Sequence, residues 1–133
     1  MNKKLAKLLV YATGGIFILY GAAFAFLPVE MALLVTGESP GTPSGLIDFR
    51  ATYGGITFAM GVALLKLGSR PELLSLGLVI TAVVLLAMAG GRILGMILDG
   101  TPNLIMYIYL ATELVFPGLA LYLRRSIREE GNT

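Results

Sequence analysis

The chain has 133 residues, of which 56% are hydrophobic and only 14% are charged. An average soluble domain carries roughly a quarter charged residues, so this composition excludes a soluble enzyme, a disordered protein and a nucleic-acid-binding module, and we expect no nucleic-acid partner. The net charge is +2, and the absence of Cys and His removes disulfides, thiolate catalysis and the commonest metal ligands, so we expect neither a metal nor a cofactor.

Four segments of the chain are long and apolar enough to cross a membrane as helices, which takes about 20 residues each. Their approximate bounds are residues 5–27, 46–67, 73–98 and 104–123. Residues 29–35 are also apolar but too few to cross, and they predict a short helix lying at the membrane interface. The length leaves room for one domain, residues 1–133. The sequence therefore predicts an all-α fold, a four-transmembrane-helix bundle with a short interfacial helix between the first two spans.

The positions of the basic residues predict how the four spans are oriented. Eight of them lie at the N-terminus, in the turn between the second and third spans, or at the C-terminus: Lys3, Lys4, Lys7, Lys66, Arg70, Arg124, Arg125 and Arg128. With four spans these three regions share one side of the membrane, and the loops on the opposite side contain no Lys or Arg. Because basic loops stay in the cytoplasm, we expect both termini to be cytoplasmic.

The start of the chain also allows a competing interpretation. Lys3 and Lys4 precede an apolar stretch that leads to Ala23-Phe24-Ala25, a pattern similar to a signal peptide with its cleavage box. The apolar run continues beyond that box to Leu27. We therefore expect the first span to be an uncleaved helix.

The 17 glycines predict how the helices pack. Lipid tails are as apolar as Leu, so helix pairing depends on small residues that let two backbones approach closely. A Gly-Gly-Ile sequence followed by a further glycine occurs over residues 14–21 and again over residues 54–61, which is consistent with an internal duplication or with ordinary packing. Small residues also recur every four positions along the second and third spans: Ala51, Gly55, Ala59 and Ala63, then Ala87, Gly91 and Gly95.

Glu113 is the most informative residue because it falls near the middle of the fourth span. It lies about ten residues into that helix, or ~15 Å at 1.5 Å per residue. A lone charge at this depth costs roughly 2.5–3.5 kcal/mol, so we expect Glu113 to face the bundle interior with Arg92 of the third span as its partner. Pro117 has no N–H to donate to the carbonyl of residue 113, which predicts a kink or a binding spot at the same level.

Further polar residues are expected in the same outer half of the bundle, because neighbouring spans run in opposite directions. Arg50 lies near the outer end of the second span, with Asp48 before it, and Asp99 ends the third span. Hydroxyl groups are predicted at this level on four more residues: Tyr53, Thr57, Tyr109 and Thr112.

Two interpretations of this polar cluster remain open. In the first, Arg92–Glu113 and Arg50 with Asp48 or Asp99 are satisfied ion pairs that fix the helix register. In the second, the same residues line an outward-facing pocket for a ligand, since ionisable groups inside a membrane are functional candidates by default.

Three short motifs resemble a known family of membrane proteins. They are Arg50-Ala51-Thr52-Tyr53-Gly54-Gly55, then Gly91-Arg92 with Gly95 and Asp99-Gly100-Thr101-Pro102, and finally Glu113 in the last span. With its length, four spans and basic ends, the chain resembles an uncharacterised family of short bacterial membrane proteins described as a domain of unknown function. The resemblance implies a four-helix fold in the bacterial inner membrane and no particular activity. A more distant likeness, to DoxX-type membrane proteins, concerns the architecture alone.

The leading functional hypothesis is a small multi-pass membrane protein, surrounded by membrane lipids, that binds a lipid or a small polar or anionic ligand. Guanidinium groups suit phosphate and carboxylate, so Arg50, Arg92 and Glu113 would line the pocket, with Tyr53 and Asp99 beside them. Five residues would support it: Asp48, Thr57, Tyr109, Thr112 and Pro117. The alternative is a structural or accessory subunit of a larger membrane complex, or a homo-oligomer, packed through its small-residue stripes. A membrane enzyme or a proton-coupled carrier ranks third, because no nucleophile motif accompanies Glu113.

Overall fold

The computed structural model describes residues 2–130, which form helices and connecting turns with no β-strand in that range. Four helices are long and apolar enough to cross a membrane. We call them the first to fourth spans: Asn2–Phe26, Pro43–Ser69, Pro71–Asp99 and Leu104–Glu130. A shorter helix, Pro28–Thr36, lies between the first two spans. The predicted all-α fold of four apolar helices and one short helix is therefore confirmed.

Helix caps and side-chain pairs extend two of the spans beyond the apolar runs of the sequence. The second span begins at Pro43, where proline fits because the first N–H of a helix has no intrahelical partner. The Thr42 Oγ1 accepts a hydrogen bond from the Gly45 N–H at 3.1 Å and caps the same helix. The fourth span continues to Glu130, with the Arg125 Nε donating to Glu129 Oε1 at 3.0 Å on its exposed face. Hydropathy alone therefore predicts a start for the second span and an end for the fourth span that both lie too far inside the helix.

The second span contains a π-helical segment, Arg50–Ile56, between the α-helical stretches Pro43–Phe49 and Thr57–Ser69. Such segments are rare and add residues to each turn. Hydropathy does not distinguish a π-helix from an α-helix, so the sequence did not predict it. Because of these extra residues, extending the α-helical periodicity of residues 57–69 back along the chain does not predict which face of the helix residues 43–50 occupy.

The first and second spans pack through glycine at two levels. A Cβ added at Gly61 would lie 2.6 Å from the Gly14 carbonyl oxygen, and a Cβ added at Gly21 would lie 2.7 Å from the Gly54 carbonyl oxygen. Both distances are shorter than real Cβ contacts, so only glycine allows these backbones to approach so closely. Gly15, by contrast, has open space where its Cβ would be. The repeated glycines at positions 14, 21, 54 and 61 therefore form the contact between these two helices.

The main apolar core lies in the half of the bundle that contains the start of the first span and the end of the fourth. The Asn2 Nδ2 donates to the Ser126 Oγ at 2.5 Å, which joins the start of the first span to the end of the fourth. In the opposite half, large side chains of the third span such as Leu94 and Ile97 are exposed. All four spans contribute to the core: Ala6, Leu9, Val10, Phe17, Leu64, Leu74, Leu78, Ala82, Leu85, Ala120 and Leu123.

Asn103 joins the short helix to the start of the fourth span. Its Nδ2 donates to the Val35 carbonyl oxygen at 3.0 Å, and its Oδ1 accepts from the Met106 N–H at 3.1 Å. The terminal carbonyls and N–H groups of a helix lack intrahelical partners. One side chain therefore caps the C-terminus of the short helix and the N-terminus of the fourth span.

Replacing Asn103 with Ala is expected to lower the free energy of unfolding by about 1–2 kcal/mol, because both bonds are lost. Asn103→Ser is the matched control: a serine hydroxyl is also a favourable N-cap acceptor for the fourth span, and it lacks the donor to Val35 without adding charge, so it should cost less. Denaturant titration in detergent micelles measures both changes. An Asn103→Ala variant as stable as the wild type would show that neither bond contributes.

Candidate functional site

An ion pair joins the third and fourth spans in the half of the bundle away from the start of the first span. The Arg92 Nε donates to Glu113 Oε2 at 2.9 Å, and the Arg92 Nη2 donates to Glu113 Oε1 at 2.7 Å. The guanidinium and the carboxylate thus meet in the bidentate geometry that gives the strongest such pairs. The Glu113 side chain is only 3% exposed and that of Arg92 is 16% exposed. Glu113 therefore has the partner expected from its depth in the fourth span.

Two further contacts orient the Arg92 guanidinium. Its Nη1 lies 2.6 Å from the Met106 Sδ, a weak acceptor, and its Cζ lies 5.2 Å from the centre of the Tyr109 ring, within the cation–π range. Tyr109 in turn packs edge-to-face against Tyr20 of the first span, with ring centres 6.3 Å apart. Because a guanidinium carries five N–H donors, one N–H on each of Nη1 and Nη2 is left over after these contacts.

Pro117 is fully buried one turn after Glu113. It has no N–H, so the Glu113 carbonyl lacks its usual helical donor. A backbone acceptor thus lies at the same level of the fourth span as the ion pair. The proline predicted a kink or a binding spot here, and in the structure Glu113 at this level lines a cleft.

The cleft has a volume of about 320 Å³ and lies between the first span and the hairpin of the third and fourth spans. This volume is at the lower end of the range for small-ligand sites. Arg92 and Glu113 line it together with five hydroxyl-bearing residues: Thr13, Tyr20, Thr57, Tyr109 and Thr112. The other lining residues are apolar: Leu9, Ala12, Ile16, Phe17, Leu85, Met88, Ile108 and Phe116. Leu9, Phe17 and Leu85 also belong to the main apolar core, so the cleft adjoins that core.

The structure separates the predicted site residues into two groups. Five of them line the cleft: Thr57, Arg92, Tyr109, Thr112 and Glu113. The others lie outside its wall: Asp48, Arg50, Tyr53, Asp99 and Pro117. Asp48 and Asp99 are exposed, and within residues 2–130 neither forms an ion pair with Arg50.

Arg50 instead contacts the end of the first span, where its Nη1 donates to the Ala25 carbonyl oxygen. Carbonyls in the last turn of a helix lack intrahelical donors, and a cation is favoured there by the helix dipole. Tyr53 lies at the same end of the bundle, with its ring stacked on Phe24 at a centroid distance of 5.2 Å. The structure therefore does not bring Arg50 and Arg92 together in one pocket.

The first span supplies cleft residues that the sequence analysis did not include. Thr13 and Tyr20 are the polar members, and the Thr13 Oγ1 donates to the Leu9 carbonyl oxygen at 2.9 Å. The two residues are seven positions apart, which places them on one face of a helix. The sequence feature that could have identified these cleft residues is a threonine and a tyrosine seven positions apart in an otherwise apolar span.

A family model described as "Domain of unknown function (DUF4345)" matches residues 5–124, a range that includes every residue lining the cleft. No curated protein and no solved structure matches the chain. Within the described range, no group of three or more His, Cys, Asp or Glu side chains could hold a metal ion.

Proposed function

The chain belongs to the DUF4345 family, a domain of unknown function, and we propose that it binds an uncharged amphiphile in the cleft beside Arg92 and Glu113. The ligand class is a lipid-like molecule with a neutral, hydrogen-bonding head and an apolar body. One observation carries this proposal: a bidentate ion pair without net charge forms part of the wall of a cleft that is otherwise largely apolar.

The head of the ligand follows from the charge of this wall. Arg92 already donates two hydrogen bonds to Glu113, so the pair has no net charge to attract an anion, and its carboxylate would repel one. A carbonyl or ester oxygen can accept a hydrogen bond from a remaining N–H of Arg92 without that repulsion. The sequence predicted a lipid or a small polar or anionic ligand, and the neutral ion pair favours a ligand whose head carries no charge.

The body of the ligand, and its route of entry, follow from the apolar side chains of the cleft. Ile16 and Ile108 are more than half exposed, and Phe116 is 39% exposed, although all three belong to helices that are apolar enough to cross a membrane. In a bilayer these side chains face acyl chains, so the ligand enters sideways from the lipid. We place the protein in the bacterial inner membrane with both termini cytoplasmic, which puts the ion pair in the outer half of the bilayer.

Thermal unfolding of the purified protein in detergent micelles, with three probes, tests this proposal. Monoolein has a neutral ester head, oleic acid at alkaline pH has the same chain with a carboxylate, and squalene has no polar head. A ligand that binds only the folded state stabilises it by about 2.7 kcal/mol at 100 times its Kd. We expect monoolein to raise the unfolding midpoint, and oleic acid and squalene to raise it far less.

The variant Ala12→Trp is the control for the location of binding, because Ala12 lines the cleft and an indole there occupies part of it. We expect the shift with monoolein to disappear in this variant. A shift as large with oleic acid would contradict the neutral head, and a shift that persists in Ala12→Trp would contradict the cleft.

A second candidate function, an accessory subunit of a membrane complex or a homo-oligomer, is favoured by the small-residue stripes. A Cβ added at Gly91 would meet nothing within 4 Å, so this glycine is not needed for packing within the chain. Most of the stripe residues are exposed: Ala51, Gly55, Ala59, Ala63, Ala87 and Gly91. Such faces let a helix of another chain approach closely. This function requires an assembly heavier than one 14.1 kDa chain after gentle extraction.

A further inference from the structure

A second cleft, with a volume of about 280 Å³, lies at the end of the bundle where the first span starts and the fourth ends, away from the Arg92–Glu113 pair. Three lysines from the start of the first span line it: Lys3, Lys4 and Lys7. The remaining lining residues come from three other places in the chain. They are Gly68 at the end of the second span, Pro71 and Leu74 at the start of the third, and Ile127 near the end of the fourth.

No described acid forms an ion pair with the three lysines. All three are exposed, and the ion pairs among the side chains described in residues 2–129 are Arg92–Glu113 and Arg125–Glu129. The Lys7 Nζ lies 5.5 Å from the centre of the Tyr11 ring, a contact that orients the ammonium group without cancelling its charge. The residues that line the cleft are therefore three cations and four uncharged residues, with no acid among them.

We propose that this cleft binds an anionic phospholipid, with the headgroup phosphate between the lysines and the first part of an acyl chain against Pro71, Leu74 and Ile127. Ammonium groups form charge-assisted hydrogen bonds with phosphate oxygens, which accounts for the head. The apolar lining favours a lipid over a small hydrated anion, because only a lipid brings a chain that can cover it.

The place of the cleft in the bundle agrees with this ligand. It lies at the ends of the spans, where headgroups are found, and the basic residues place this end in the cytoplasmic leaflet, whose anionic lipids attract Lys and Arg. The proposal does not depend on the proposed function, since the cleft, the charge of the ligand and the leaflet are all different.

Native mass spectrometry of the full chain, titrated with dioleoylphosphatidylglycerol or dioleoylphosphatidylcholine, tests the proposal. We expect the wild type to retain the anionic lipid in preference to the zwitterionic one. Because each basic residue near a membrane surface contributes about 1 kcal/mol, the combined substitutions Lys3→Gln, Lys4→Gln and Lys7→Gln should weaken binding of phosphatidylglycerol roughly a hundredfold.

A matched variant removes the same charge from the same end of the bundle but outside the cleft. It combines Lys66→Gln, Arg70→Gln and Arg128→Gln, all at exposed positions, and should keep most of the preference. All six substituted residues are exposed, so circular dichroism should show unchanged helix content. Equal losses in the two triple variants would overturn the site in favour of diffuse surface charge. Displacement of the lipid by equimolar glycerol phosphate would overturn the lipid in favour of a soluble phosphate.

Discussion

Replacing Arg92 with Gln is expected to lower the free energy of unfolding by about 3–5 kcal/mol, which is the usual effect of removing one partner of a buried ion pair. The reason is that the Glu113 carboxylate, 3% exposed, loses both of its hydrogen bonds to the guanidinium. Glu113→Gln is expected to be destabilising as well, because it leaves the Arg92 charge without its counter-ion. Denaturant titration of the purified variants in detergent micelles measures these changes.

The double variant Arg92→Gln with Glu113→Gln separates the cost of an unpaired charge from the value of the pair itself. It has no buried charge, so it should be much more stable than either single variant, and the interaction energy of the double-mutant cycle should be large. Arg125→Gln breaks the exposed pair with Glu129, whose side chains are 83% and 66% exposed, and should leave stability nearly unchanged. Additive single effects at positions 92 and 113 would contradict the coupling.

Replacing Gly61 with Ala is expected to have the next largest effect, a loss of at least about 1–3 kcal/mol through overpacking. The added Cβ would lie 2.6 Å from the Gly14 carbonyl oxygen and 2.7 Å from the Ile18 nitrogen. Both are backbone atoms, so the clash is relieved only if the first and second spans move apart. The same titration in micelles measures the loss, and Gly21→Ala should behave similarly because its Cβ also meets backbone of the second span.

Gly15→Ala is the matched control for this prediction, because it lies beside Gly14 and has nothing within 4 Å of an added Cβ. It should leave stability unchanged or raise it slightly, since Ala favours helix over Gly. If Gly61→Ala and Gly15→Ala had the same effect, the close backbone contact between the first two spans would be refuted.

The number of spans and the ion pair could be predicted from the sequence because each depends on a strong local signal. Apolar length identifies a helix that can cross a membrane, and the depth of Glu113 in the fourth span requires a partner, for which Arg92 was the suitable residue. A packing role for glycine was predictable for a similar reason, since close helix packing in lipid needs small residues, but the sequence did not indicate that the glycines at 14, 21, 54 and 61 meet one another.

The surroundings of the ion pair could not be predicted in the same way, because they depend on how the spans are arranged around one another. Tyr20 and Thr13 complete the cleft, although no local feature of the first span singles out its partner helices. Arg50 was expected in the same pocket as Arg92, yet its side chain instead donates to the Ala25 carbonyl oxygen at the end of the first span. The π-helical segment that starts at Arg50 changes the face on which the preceding residues lie.

The most direct test of the amphiphile-binding cleft is native mass spectrometry of the protein extracted gently from its own membrane. Wild type is compared with Ala12→Trp, which obstructs the cleft, and with Ala111→Trp, which adds the same side chain at an exposed position outside it. We expect wild type and Ala111→Trp to retain a discrete mass of an uncharged amphiphile that Ala12→Trp loses, whereas anionic phospholipid in the lysine-lined cleft should remain on all three proteins. If the uncharged amphiphile were absent from wild type, or present equally on all three proteins, the cleft beside Arg92 and Glu113 would not be its binding site. The Arg92–Glu113 pair would then be a structural link between the third and fourth spans.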